Sequence, residues 1–178
     1  REDRSALAIP RRWRKPRKIF VNSMSDLFHD AVSEAFIADV WQVMRDTPHH
    51  HYQILTKRPD RMVDVLHKAG DDVLPNVWLG TSVEDADVVP RITALRKVAA
   101  AVRFISFEPL IGPVGQVDLS GIDWAIVGGE SGPKARAVEE TWVEEIEQMC
   151  RRHDAAFFFK QWGGVNKKAA GRLFRGRT

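Results

Sequence analysis

Trp124-Ala125-Ile126-Val127-Gly128-Gly129-Glu130-Ser131-Gly132 runs from four apolar residues straight into a polar, glycine-rich knot. An unalternating apolar run this short predicts a strand buried on both faces, the form parallel strands take when helices cover the sheet. Five other stretches repeat the layout. Ile19-Phe20-Val21 leads into Asn22-Ser23, residues 52–55 into Thr56-Lys57-Arg58, and residues 77–79 into Gly80-Thr81-Ser82. Residues 102–105 lead into Ser106-Phe107-Glu108, and residues 156–159 into Lys160-Gln161-Trp162. Strand starts fall roughly 22 to 33 residues apart, the spacing of βα units. The chain is therefore expected to be α/β, a partial parallel (β/α) barrel of TIM-like type with about six βα units, every knot emerging at the carboxyl-end face where such sheets keep their sites.

The segments between the runs carry helical periods. Val32, Phe36, Ile37, Val40 and Met44 share one face, with Asp30 or Ser33 as N-cap. Pro59 suits a first turn, Met62, Val63 and Leu66 form an apolar face, and Gly70 is a natural stop. Val88, Ile92, Leu95 and Val98 continue the period, and Thr141-Trp142-Val143-Glu144 has capping-box spacing ahead of Ile146 and Met149. Residues 110–122, containing Gly112-Pro113-Val114-Gly115, read as a long loop or a short hairpin instead of a helix.

With 178 residues, 44% hydrophobic and 29% charged, the chain can bury one core and is short for two ordinary domains, so a single domain over 1–178 is expected. One cysteine, Cys150, excludes an internal disulfide framework, and no apolar stretch is long enough for a membrane span, which together suggest a cytoplasmic protein. The net charge of +3 is concentrated in basic flanks over 1–17 and 164–178, including Arg11, Arg12, Arg14, Lys15, Arg17, Lys167, Lys168, Arg172, Arg175 and Arg177. Such flanks, with Trp13 and Phe174 for stacking, suit a phosphate backbone, although basic ends are also commonly just solvated. The opening at Arg1 and the ending over 171–178 suggest a fragment of a longer protein.

The strand-end knots supply the candidate chemistry. Asn22, Ser23, Asp26 and His29 share one loop, in which Asp26 and His29 offer an acid–base pair or, alternatively, Asp26 caps the next turn. Lys57 and Arg58 sit at a helix start that disfavours cations, which points to an anionic partner. Ser82, Glu84 and Asp85, then Ser106 and Glu108, add carboxylates suited to a cation, an ammonium group or sugar hydroxyls. Gly128 and Gly129 let backbone amides approach a ligand that Glu130 can also hold; the competing reading is a tight turn with Glu130 paired to Lys134 or Arg136. Lys160, Gln161 and Trp162 suit the orientation of a ring. His49-His50-His51 lies at the opposite, amino-end face and reads as a solvated loop with no metal, and Cys150 as a small core residue.

Six motifs together resemble a phage and bacterial family of unknown function related to radical S-adenosylmethionine enzymes. They are Ile19-Phe20-Val21-Asn22-Ser23-Met24-Ser25-Asp26-Leu27-Phe28-His29, Leu55-Thr56-Lys57-Arg58-Pro59, Val77-Trp78-Leu79-Gly80-Thr81-Ser82-Val83-Glu84, Phe107-Glu108-Pro109-Leu110, Ile126-Val127-Gly128-Gly129-Glu130-Ser131-Gly132 and Phe158-Phe159-Lys160-Gln161-Trp162-Gly163. The resemblance implies a partial barrel with S-adenosylmethionine bound to an iron-sulfur cluster held by a three-cysteine loop. That loop would precede Arg1, and this chain alone has too few thiolates for the cluster. By strand-end analogy, Asn22, Ser23 and Asp26 would face the cofactor's methionine end and Ser82 and Glu84 its ribose. Gly128, Gly129 and Glu130 would line the adenine or substrate side, leaving Asp26, His29, Lys57, Glu108 and Lys160 for chemistry. Three functions compete: a radical S-adenosylmethionine-like enzyme acting on an unknown, possibly nucleic-acid, substrate; a non-catalytic phage nucleic-acid-binding protein, or one with a phage or bacterial protein partner; and a barrel hydrolase using Asp26, His29 and Glu108.

Overall fold

A computed structural model of the chain describes residues 2–22, 24–165 and 171–177. Its six strands are β1 (Lys18–Val21), β2 (His51–Thr56), β3 (Val77–Ser82), β4 (Val102–Phe107), β5 (Trp124–Gly128) and β6 (Ala156–Gln161). They form one sheet in the order β1-β2-β3-β4-β5-β6, and the pairings of β1 with β2, β4 with β5 and β5 with β6 are parallel. Helices lie between successive strands except between β4 and β5, so the fold is parallel α/β with its strands in sequence order. A closed barrel has eight strands, and the described residues supply six. The chain divides into two compact units, residues 1–80 with 94–103, and residues 81–93 with 104–178.

In the first unit, β1 pairs with β2 in the register Ile19↔Tyr52 and Val21↔Ile54. Helix α1 (Ile9–Arg12) belongs to the lead-in. Helix α2 (Glu34–Asp46) starts at Ser33, whose hydroxyl accepts from the Phe36 amide at 3.1 Å, and buries Phe36, Ile37, Trp41, Val43 and Met44. Helix α3 (Pro59–Lys68) opens on Pro59, buries Met62, Val65 and Leu66, and is followed by Gly70 at φ +94°. Asn76 is buried and donates its amide to the carbonyls of Met44 and His50, each at 3.1 Å, closing the turn after α2. The expectation of a solvated histidine run holds for His49 and His51, which are exposed, and is corrected for His50. His50 is fully buried, its Nδ1 accepting from the Arg17 amide at 3.2 Å and its Nε2 lying 3.0 Å from the Pro10 carbonyl, because the lead-in needs those backbone groups satisfied.

In the second unit, β4, β5 and β6 run in register from Phe104↔Trp124↔Ala156 to Phe107↔Val127↔Phe159, with an irregularity after Val127 that sets Gly128 opposite Gln161. Helix α4 (Pro90–Arg96) opens within it, and α5 (Glu140–Arg152) buries Val143, Ile146, Met149 and Cys150. The capping box expected at Thr141 is not used. The helix begins at Glu140, and the Glu144 carboxylate instead takes Arg175 at 2.6 Å. Residues 108–123 contain no helix or strand, and the loop is anchored by the buried side chains of Leu110, Val114, Leu119 and Ile122.

Candidate functional site

Asp26, past the end of β1, is the centre of the first unit's strand-end cluster. Its Oδ1 accepts from the Thr56 hydroxyl at 2.7 Å and the Phe28 amide at 2.9 Å; its Oδ2 accepts from the Lys57 amide and Arg58 Nη1, both at 3.1 Å. Four donors, one of them a guanidinium, hold this carboxylate between two strand-end loops. Arg58, at the start of α3 where the helix dipole disfavours a cation, is thus paired with Asp26. His29 does not join Asp26 in a side-chain pair. Its Nδ1 accepts from the Ala31 amide at 3.1 Å, which leaves the proton of the neutral ring on Nε2. Arg61 fastens the same loop, donating to the Val32 carbonyl at 2.6 Å and to that of His29. Asn22 adopts φ +60°, a left-handed turn that asparagine tolerates. Ser23 lies outside the described residues.

In the second unit, Glu84, Glu108 and Glu130, each past a strand end, are paired carboxylates. Glu84, 7% exposed, takes Arg91 Nη1 at 2.9 Å, and Arg91 also donates to the Ser82 carbonyl at 3.0 Å. Glu108 accepts from Lys160 Nζ at 2.9 Å on one oxygen and from Gln161 Nε2 at 3.2 Å on the other. The buried Gln161 amide also reaches Ser131 Oγ at 3.1 Å. Glu130 takes Arg136 through Nε and Nη2, each at 2.9 Å, and through the Arg136 amide, and these bonds pull its carboxyl down to about 2. Of the alternatives open for Glu130, the ion pair with Arg136 is present. Ser82 and Ser106 are buried at their strand ends.

The glycines do work that the sequence did not disclose. A Cβ on Gly129 would stand 2.0 Å from the Trp162 carbonyl oxygen, and one on Gly163 2.2 Å from that of Glu130. Backbone bonds from Gly129 to Gln161 (2.9 Å) and from Gly164 to Glu130 (2.6 Å) cross the same junction. Gly129 therefore lets the loops after β5 and β6 interlock, whereas a Cβ on Gly128 would meet the Glu108 carboxyl at 3.3 Å. Trp162 donates its indole N–H to the Leu173 carbonyl at 2.9 Å, and its ring packs 4.6 Å from Phe159.

In the basic flanks, the two aromatic residues and several arginines have partners within the chain. Phe174 is buried, Arg17 lies 4.4 Å over the Trp13 ring, Arg11 pairs with Asp46, and Arg175 with Glu144 and Glu147. Lys167 and Lys168 lie outside the described residues. Sequence reasoning missed Arg91, whose only signal is its position in the first turn after the Glu84 loop. Among the described residues, no group of three or more His, Cys, Asp or Glu side chains is placed to hold a metal ion, and no helix is long and apolar enough to cross a membrane.

The parallel sheet and the helices between its strands define an α/β fold. The chain belongs to a family described as a protein of unknown function, DUF5131, whose model matches residues 1–178. No curated protein and no solved structure matches it.

Proposed function

We propose that this chain supplies the ligand-binding strand ends of a radical S-adenosylmethionine-like enzyme with a partial TIM-type barrel, and that Glu108, Lys160 and Gln161 hold the amino-acid end of the ligand. The carrying observation is the Glu108–Lys160 pair, 2.9 Å apart, with the Lys160 side chain 46% exposed and Glu108 20%. A zwitterion can enter such a pair without stranding a charge: its carboxylate replaces Glu108 on Lys160, and its ammonium replaces Lys160 on Glu108. S-adenosylmethionine carries that zwitterion at its methionine end. Gln161, buried and bonded to both Glu108 and Ser131, fixes the direction of the carboxylate. Asp26 supports this role less well, since four donors already saturate it.

The iron-sulfur cluster does not fit this chain. Cys150 is its single cysteine, fully buried in α5, with its thiol pushed up to about 12 by burial and by Glu147. When bound, S-adenosylmethionine would supply an alkyl sulfonium; the chain's own residues bind and orient it. Calorimetric titration with S-adenosylmethionine and with methionine tests the reading. Binding of both is expected, weakened at least tenfold in Glu108→Gln and Lys160→Met at unchanged melting temperature. Absence of heat with either ligand, or wild-type affinity in both variants, overturns it.

A further inference from the structure

Arg11-Arg12-Trp13-Arg14-Lys15-Pro16-Arg17-Lys18 carries six cations in eight residues and leads into β1, at the opposite end of that strand from Asp26. Pattern alone reads as a loose tail, but the structure fixes the segment to the start of β2. His50 accepts from the Arg17 amide at 3.2 Å and lies 3.0 Å from the Pro10 carbonyl, and His49 Nε2 lies 3.0 Å from the Trp13 carbonyl. The His51 amide donates to the Arg17 carbonyl at 2.8 Å. A strap held in this way has little backbone ordering left to undergo when it meets a partner.

Charge selects the partner. Arg11 pairs with Asp46, and Arg17 lies over the Trp13 ring. Arg12, Arg14, Lys15 and Lys18 are exposed, and none has a side-chain partner among the described residues. The carboxylates of the neighbouring α2 are balanced, Glu34 by Lys68, Asp39 by Arg4 and Asp46 by Arg11, while Glu2 and Asp3 hold the backbone amides of Ser33 and Ser5. A row of phosphates fits four unpaired cations on one strap. Trp13, the strap's one ring, is covered by Arg17 at 4.4 Å and meets His50 edge-on. That withdraws the base stacking from which single strands gain affinity and leaves charge density, which is higher on a duplex. Beyond the ligand site at Glu108 and Lys160, we infer that residues 11–18 dock the phosphate backbone of a nucleic-acid duplex without reading its sequence.

Fluorescence anisotropy of the whole chain with a labelled DNA duplex and with its single strand tests this, beside co-sedimentation with phosphatidylserine vesicles. Duplex affinity is expected to fall about 100-fold between 50 and 200 mM salt, as about four phosphate contacts require. The combined variant Arg12→Gln, Arg14→Gln, Lys15→Gln and Lys18→Gln should bind the duplex at least tenfold more weakly at 50 mM salt. The matched variant Lys97→Gln, Lys134→Gln, Arg172→Gln and Arg177→Gln, which removes four exposed cations elsewhere, should stay within twofold of wild type. Indole NMR signals of the wild-type chain locate the contact regardless of how the variants fold: Trp13 should shift on adding duplex while Trp142, in α5, stays still. Equal losses in the two variants, no duplex binding at 50 mM salt, tighter binding to the single strand or to vesicles, or a still Trp13 signal would each overturn the inference.

Discussion

Replacing Gly129 with alanine adds one methyl where the structure has no room. The new Cβ would lie 2.0 Å from the Trp162 carbonyl oxygen and 2.7 Å from its carbon, and both are backbone atoms that no rotamer change can move. Relief requires the loops after β5 and β6 to part by more than about 1 Å, given ordinary contact from 3.4 Å, and that stretches the Gly129–Gln161 backbone bond of 2.9 Å past use. Overpacking costs about 1 to 3 kcal/mol and the lost bond about 1. A total of about 3 kcal/mol should lower the melting temperature of a chain this size by roughly 6 to 12 °C. Gly128→Ala is the internal control: its Cβ meets only side-chain atoms of Glu108, the nearest at 3.3 Å, where a shift of a few tenths of an ångström suffices, and should cost less than about 1 kcal/mol. Thermal melts followed by circular dichroism compare the two. A Gly129→Ala protein melting within 2 °C of wild type, or one no less stable than Gly128→Ala, would refute the interlock.

The Glu130 carboxyl, held down to about 2 by Arg136, should titrate near that value by carbon-detected NMR and return toward the ordinary range in Arg136→Met; its folded value is depressed, so its contribution to stability is present above pH 4.5 and lost as pH falls toward 2. A wild-type midpoint near 4.5 would contradict the pairing. Cys150, buried with its thiol raised to about 12, should resist Ellman's reagent at pH 8 in the folded protein and react fully in urea; rapid native labelling would show the α5 packing to be wrong. Asn76→Ala removes the amide that satisfies the Met44 and His50 carbonyls and should cost about 2 kcal/mol in urea unfolding, and a change below about 0.5 would dismiss that cap.

What the sequence alone determined is what local periodicity and turn chemistry carry. Apolar runs placed the six strands within a few residues, Ser33 marked the start of α2, and Pro59 and Gly70 bounded α3, since each signal depends on neighbours within a turn or two. The candidate residues were also legible as a class, because parallel strands put their polar carboxyl ends at one kind of position. Their partners were not. Asp26 finds Arg58 across 32 positions and Glu108 finds Lys160 across 52, joined only once strand register is set. The same holds for Gly129, whose missing side chain makes space for Trp162 33 positions on, and for His50, a loop residue by pattern that the lead-in buries. Periodicity reports which face a residue occupies; only the tertiary structure decides what stands opposite it, because that contact depends on atoms far away in the chain.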